Sequence, residues 1–84
     1  MNDVMKRAKD FIGANSWFSF DGDDDGTMSF STREHGNVCD EEPGEADIAE
    51  ARRLIKLVRD KFPSLKLSGE VVDEWVCIYV QEGV

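Results

Sequence analysis

The chain has 84 residues, 18 of them acidic and 10 basic, for a formal net charge of −8. A negative field of that size repels nucleic acid and anionic membranes and draws cations, either a metal ion or a basic protein surface. The length allows a small core that buries roughly 60–65% of the surface exposed on unfolding, and a 40% apolar share is too high for a disordered acidic tail.

Residues 1–84 read as one domain, with no internal repeat or low-complexity linker. Cys39 and Cys77 are the only cysteines, which favours a reducing cytoplasm over a disulfide scaffold, although one bridge between them stays open. The opening MNDVMKRAKDFIGAN lacks the apolar stretch of a signal peptide. The longest apolar run, Trp75 to Val80, is far too short to cross a bilayer.

Residues 3–14 are expected to form a short helix, capped by Asn2 or Asp3, with Val4, Ala8, Phe11 and Ile12 as its apolar stripe. Gly13-Ala14-Asn15 supplies residues suited to a helix end. Trp17 to Phe20 and Thr27 to Thr32 flank an Asp- and Gly-rich loop, Asp21 to Gly26. Met28 and Phe30 alternate with Ser29 and Ser31, so the segment reads as a hairpin. His35-Gly36-Asn37 is a second turn signal, followed by Val38-Cys39 as a short strand or loop.

Residues 45–62 give the strongest periodicity. Ile48, Ala51, Ile55, Val58 and Phe62 line one helix face, widened by Leu54 and Leu57. Glu45 and Asp47 at the start, with Arg59 and Lys61 at the end, suit the helix dipole, and Pro63 stops the helix. Leu65 to Leu67 and Glu74 to Gln81 read as two strands joined around Gly69. The last strand is apolar on both faces: Val76, Ile78 and Val80 on one, Trp75, Cys77 and Tyr79 on the other. The expected fold is α+β in the order αββαββ, an antiparallel sheet with both helices on one face. That layout leaves Trp75 and Tyr79, with Trp17, to complete the core, or to meet a second copy or a partner.

The charge is not spread evenly. Asp21, Asp23, Asp24, Asp25, Glu34, Asp40, Glu41, Glu42, Glu45, Asp47 and Glu50 all fall between residues 21 and 50, where Arg33 is the only base. Asp21 to Met28 resembles the opening of an EF-hand calcium loop, with acids at alternate positions, Gly26 at the turn and Met28 in the apolar place. The resemblance implies Asp21, Asp23, Asp25 and Thr27 as calcium ligands. It stops at these eight residues, because Thr32 stands where the closing bidentate Glu belongs and the flanks read as strands. The other reading is a polar hairpin loop in which the aspartates form local turns.

His35, Cys39 and Cys77 are too few for a structural zinc site. Asp40, Glu41 and Glu42 beside Cys39 oppose the thiolate a cysteine nucleophile needs, and the solvated carboxylates offer no shielded general acid. Arg52, Arg53, Lys56, Arg59, Lys61 and Lys66 read as helix-dipole and i,i+4 partners for nearby acids. No enzyme is expected and no cofactor.

In size, acidity and lack of catalytic residues the chain resembles the small phage-encoded inhibitors that include anti-CRISPR and anti-restriction proteins, some of them DNA mimics. The resemblance implies a protein of the host cytoplasm that covers a basic surface, such as a DNA-reading subunit of a CRISPR or restriction complex. It would bind no nucleic acid or membrane itself, and it would act as a monomer or homodimer. The eleven acids would be the contact surface. The alternatives are a calcium-binding module built on Asp21 to Thr27, or an interaction or dimerisation protein working through Trp75 and Tyr79.

Overall fold

A computed structural model describes residues 3–32, 45–72 and 75–83. The described residues form helix α1 (Asp3–Asn15), strands β1 (Ser19–Asp24) and β2 (Thr27–Ser31), helix α2 (Glu45–Lys61), and strands β3 (Leu65–Val72) and β4 (Trp75–Glu82). This is the expected α+β order. The expected turn at His35 to Asn37 and the segment Val38-Cys39 lie outside the described residues.

The sheet is antiparallel throughout, in the order β1-β2-β4-β3. The chain leaves β2, passes through α2 to the far edge, and returns as β4 between β2 and β3. Strands β2 and β3 are therefore parallel with β4 between them, the reason a helical crossover is needed there. Among the described strands, β1 and β3 are the two edges.

Both helices cover one face. Met5, Ala8 and Ile12 of α1 and Ala51, Leu54 and Val58 of α2 share a core with Met28, Phe30, Leu65, Val76, Ile78 and Val80. The pairings Met28 with Val80 and Phe30 with Ile78 place those side chains on the same side of the pleat. Each fully buried Leu, Ile, Val or Phe contributes about 2 kcal/mol through the water it sheds. Helix α1 ends where the Asn15 side-chain amide donates to the Phe11 carbonyl at 2.8 Å, which satisfies one of the last exposed acceptors.

Gly69 is not the joint between the last two strands. It lies within β3 opposite Ile78, and the reversal falls between Val72 and Trp75. A Cβ at Gly69 would sit 3.4 Å from the Ile55 Cδ1 atom and 3.4 Å from the Cys77 carbonyl, at van der Waals contact with α2 and β4. Cys77 is a buried thiol. No helix among the described residues is long and apolar enough to cross a membrane.

Candidate functional site

The acidic hairpin is built differently from the loop that its composition suggests. Asp21 to Asp24 belong to β1, and only Asp25 and Gly26 form the turn. Their φ angles are 50° and 79°, the left-handed pair that a two-residue type I′ hairpin requires and that Asp-Gly supplies most readily. Aspartate is a poor strand former, but hydrogen bonding to β2 holds these residues in the ladder.

The pairing steps from Phe20 with Phe30 to Gly22 with Ser29, so Asp21 is the extra residue of a β-bulge. Gly22 has φ 153°, a conformation that side-chain-bearing residues rarely adopt. Replacing Gly22 with alanine is expected to lower stability by about 1 kcal/mol or more. The check is a urea titration, in which the midpoint falls while the slope holds.

Past the bulge, Asp23 pairs with Met28 and Asp24 with Thr27, so consecutive acids point to opposite faces. Asp21, Asp23, Asp24 and Asp25 are all exposed. Glu82, from the end of β4, joins them: its amide donates to the Gly26 carbonyl at 3.1 Å, and its Oε2 lies 3.2 Å from the Cβ position of Gly26. Reading along the chain could not find it, because only the β2–β4 pairing brings it to the hairpin tip. A shallow depression of about 390 Å³ runs beside these acids, lined by Gly22, Asp23, Asp24, Thr27, Ser29 and Tyr79.

The calcium arrangement does not assemble. A coordinating loop must curl its alternate ligands around one point, whereas Asp21 and Asp23 lie in an extended strand and Asp25 in the turn beyond it. Among the described residues, no group of three or more His, Cys, Asp or Glu side chains is placed to hold a metal ion.

Asp47 and Glu50 do not belong to the exposed acidic surface expected of them. They are buried, 3% and 7% exposed, and they clamp the α1–β1 linker onto α2. The Trp17 Nε1 donates to Asp47 Oδ1 at 3.0 Å. Arg53 meets Glu50 with two bonds, Nε to Oε1 at 2.6 Å and Nη2 to Oε2 at 2.7 Å, and its Nη2 also donates to the Asn15 carbonyl at 2.8 Å. These bonds to Arg53 hold the Glu50 carboxyl below its usual range against the opposing effect of burial, with a hydrogen bond to Ser16 adding to the shift. The spacing 47, 50, 53 sets all three side chains along one ridge of the helix. Glu34, Asp40, Glu41, Glu42 and the Glu45 side chain lie outside the described residues.

Trp75, Cys77 and Tyr79 lie on the sheet face turned away from the helix-covered core. The Tyr79 hydroxyl donates to Glu70 Oε1 at 2.5 Å, a diagonal pair, since Tyr79 stands opposite Ser68 and Glu70 opposite Cys77. That bond, assisted by burial, pushes the phenol up to about 12. The folded value lies above the unfolded one near 10, so the bond's contribution to stability is complete below pH about 10 and disappears as pH rises toward about 12. Tyr79 is the only tyrosine, so absorbance at the tyrosinate band reports it alone. The midpoint is expected near 12 in the native protein and lower in Glu70→Ala, displaced toward the ordinary tyrosine value of about 10.

Several bases are already engaged. Besides Arg53, Lys9 sits 4.1 Å above the Phe20 ring and Lys61 sits 5.4 Å from the Phe11 ring centroid. Arg52, Lys56 and Arg59 lie exposed on α2. No protein-family model matches the chain, and neither a curated protein nor a solved structure is significantly similar to it.

Proposed function

We propose that the chain is a non-enzymatic inhibitor of the anti-CRISPR or anti-restriction type, carried by phage and acting in the host cytoplasm. It occupies the Lys/Arg-lined surface with which a partner protein reads DNA. The observation that supports this reading is the exposure of Asp21, Asp23, Asp24 and Asp25 on one hairpin whose bulge and two-residue turn fix their backbone.

Asp23 and Asp24 alternate across the strand, and Asp25 and Glu82 add carboxylates at the tip, so the hairpin carries negative charge on both faces and at its end. Presenting these carboxylates on an ordered hairpin spares the ordering cost that a flexible acidic tail meets on binding.

The test is competition. The chain is immobilised, exposed to lysate of a host with an active CRISPR or restriction system, and washed with short duplex DNA. The expected result is retention of a nucleic-acid-binding protein that duplex DNA displaces, and weaker retention when Asp23, Asp24 and Asp25 are all changed to Asn. Retention that duplex DNA does not reverse, or that the triple change leaves undiminished, overturns the reading.

A further inference from the structure

We infer that the outer edge of β3 is an interface with a second copy of this chain, formed by antiparallel β3–β3 pairing about a two-fold axis at Ser68. The contrast between the sheet's two edges motivates it. Strand β1 is short, bulged and acid-bearing, the devices by which proteins blunt an edge against further pairing. Strand β3 pairs with β4 over eight residues in unbroken register, and its sequence Leu65 to Val72 contains no proline. Ser68, Gly69, Glu70 and Val71 are exposed, Val71 at 56%.

The strand is complementary to itself in one register. With Ser68 on the axis, Lys66 falls opposite Glu70 of the second copy and Glu70 opposite its Lys66. On the other face Leu65 meets Val71, and Leu67 meets Gly69. Two ion pairs thus line one face and apolar pairs the other, as a closed two-fold contact requires. Moving the axis to Leu67 or Gly69 pairs Lys66 with Ser68 or Val72 and loses both ion pairs.

The helix layer fits the same symmetry. A groove of about 220 Å³ between α2 and β3 is lined by Ile48, Ala51, Ile55, Gly69, Val71 and Val76, among others, and opens beside the exposed Val71. Helix α2 packs over both β3 and β4. Strands lie about 4.8 Å apart, so the two α2 helices would run about 10 Å apart across the axis, the distance of packed helices. Ile55, which lies against Gly69, would then stand close to the axis. The resulting eight-stranded sheet leaves both acidic hairpins at its outer margins, so the dimer is bivalent toward any basic partner.

Sedimentation equilibrium on the full chain tests this. The expected mass is twice the 9.5 kDa of one chain. Lys66→Glu and Glu70→Lys are each expected to raise the dimer dissociation constant roughly 10- to 100-fold, because each turns two attractive pairs repulsive. The double change Lys66→Glu/Glu70→Lys restores opposite charges across the axis and is expected to recover dimerisation, with circular dichroism confirming the fold of every variant. Amide exchange should show protection of residues 65–71 rising with protein concentration while β1 is unaffected. A monomer up to about 1 mM, or a dimer indifferent to Lys66→Glu, overturns the inference.

Discussion

Asp47→Ala is expected to destabilise the protein by about 2 kcal/mol, whereas Asp24→Ala should change stability by less than about 0.5 kcal/mol. The two substitutions remove the same charge from the same acidic region. They differ in what the carboxylate touches. Asp47 is buried and accepts the Trp17 indole proton, so its loss breaks the bond that holds the linker between α1 and β1 to α2. Hydrogen bonds to charged groups contribute about 1.5–3 kcal/mol, and a loss of about 2 kcal/mol in a domain of this size lowers the melting temperature by roughly 8–16 °C. Asp47→Asn keeps an acceptor and should recover most of that loss. Thermal melts followed by circular dichroism and by Trp fluorescence read both effects, the second because Trp17 loses its anchor. Equal melting temperatures for the Asp47→Ala and Asp24→Ala proteins would mean that the clamp holds nothing.

The same contrast marks how far the sequence can be read. Helix α2 was legible because its apolar residues recur at the helical period for more than four turns, and Pro63 ends it. The hairpin was legible from the Asp- and Gly-rich segment Asp21 to Gly26 and from Met28 alternating with Ser29, although the turn itself is only Asp25 and Gly26. What escaped were features created by tertiary pairing. Strand β1 extends through a run of aspartates because β2 supplies a ladder that overrides their poor strand propensity. Gly69 looked like a turn and is instead a strand residue paired with Ile78. Met5 escaped the α1 stripe, yet it is 2% exposed.

Asp47 and Glu50 looked like surface charge because hydropathy registers residue type and not hydrogen-bond partners. One signal was present: Glu50 and Arg53 stand three apart, close enough to pair on a helix face. Glu82 could be placed at the hairpin tip only once β4 was known to lie beside β2. The expected binding surface of eleven acids thus divides by environment. Four described members are exposed on the hairpin, two are structural, and Glu82 joins from outside the original set.

Converting Asp23, Asp24 and Asp25 to Asn is expected to slow association with a basic partner about tenfold or more at low salt, with a smaller change in the dissociation rate. Charges at the rim of an interface act mainly by steering the encounter, and steering accelerates association by about 10- to 1,000-fold. The triple change reduces the net charge from −8 to −5, so a control must separate patch from total. Asp3, Asp10 and Asp60 are also exposed, lie on the helices, and give the same total when changed to Asn. If the hairpin is the contact, its variant should slow association far more than the helix variant at about 0.01 M salt, where the Debye length is about 30 Å. The difference should narrow at about 0.15 M, where that length is about 8 Å. Asn at position 25 tolerates the positive φ of the turn, so the fold should survive and the kinetic comparison stays clean. Stopped-flow measurement against the captured partner decides the matter. Equal slowing by the two variants would assign the effect to net charge and remove the hairpin from the interface.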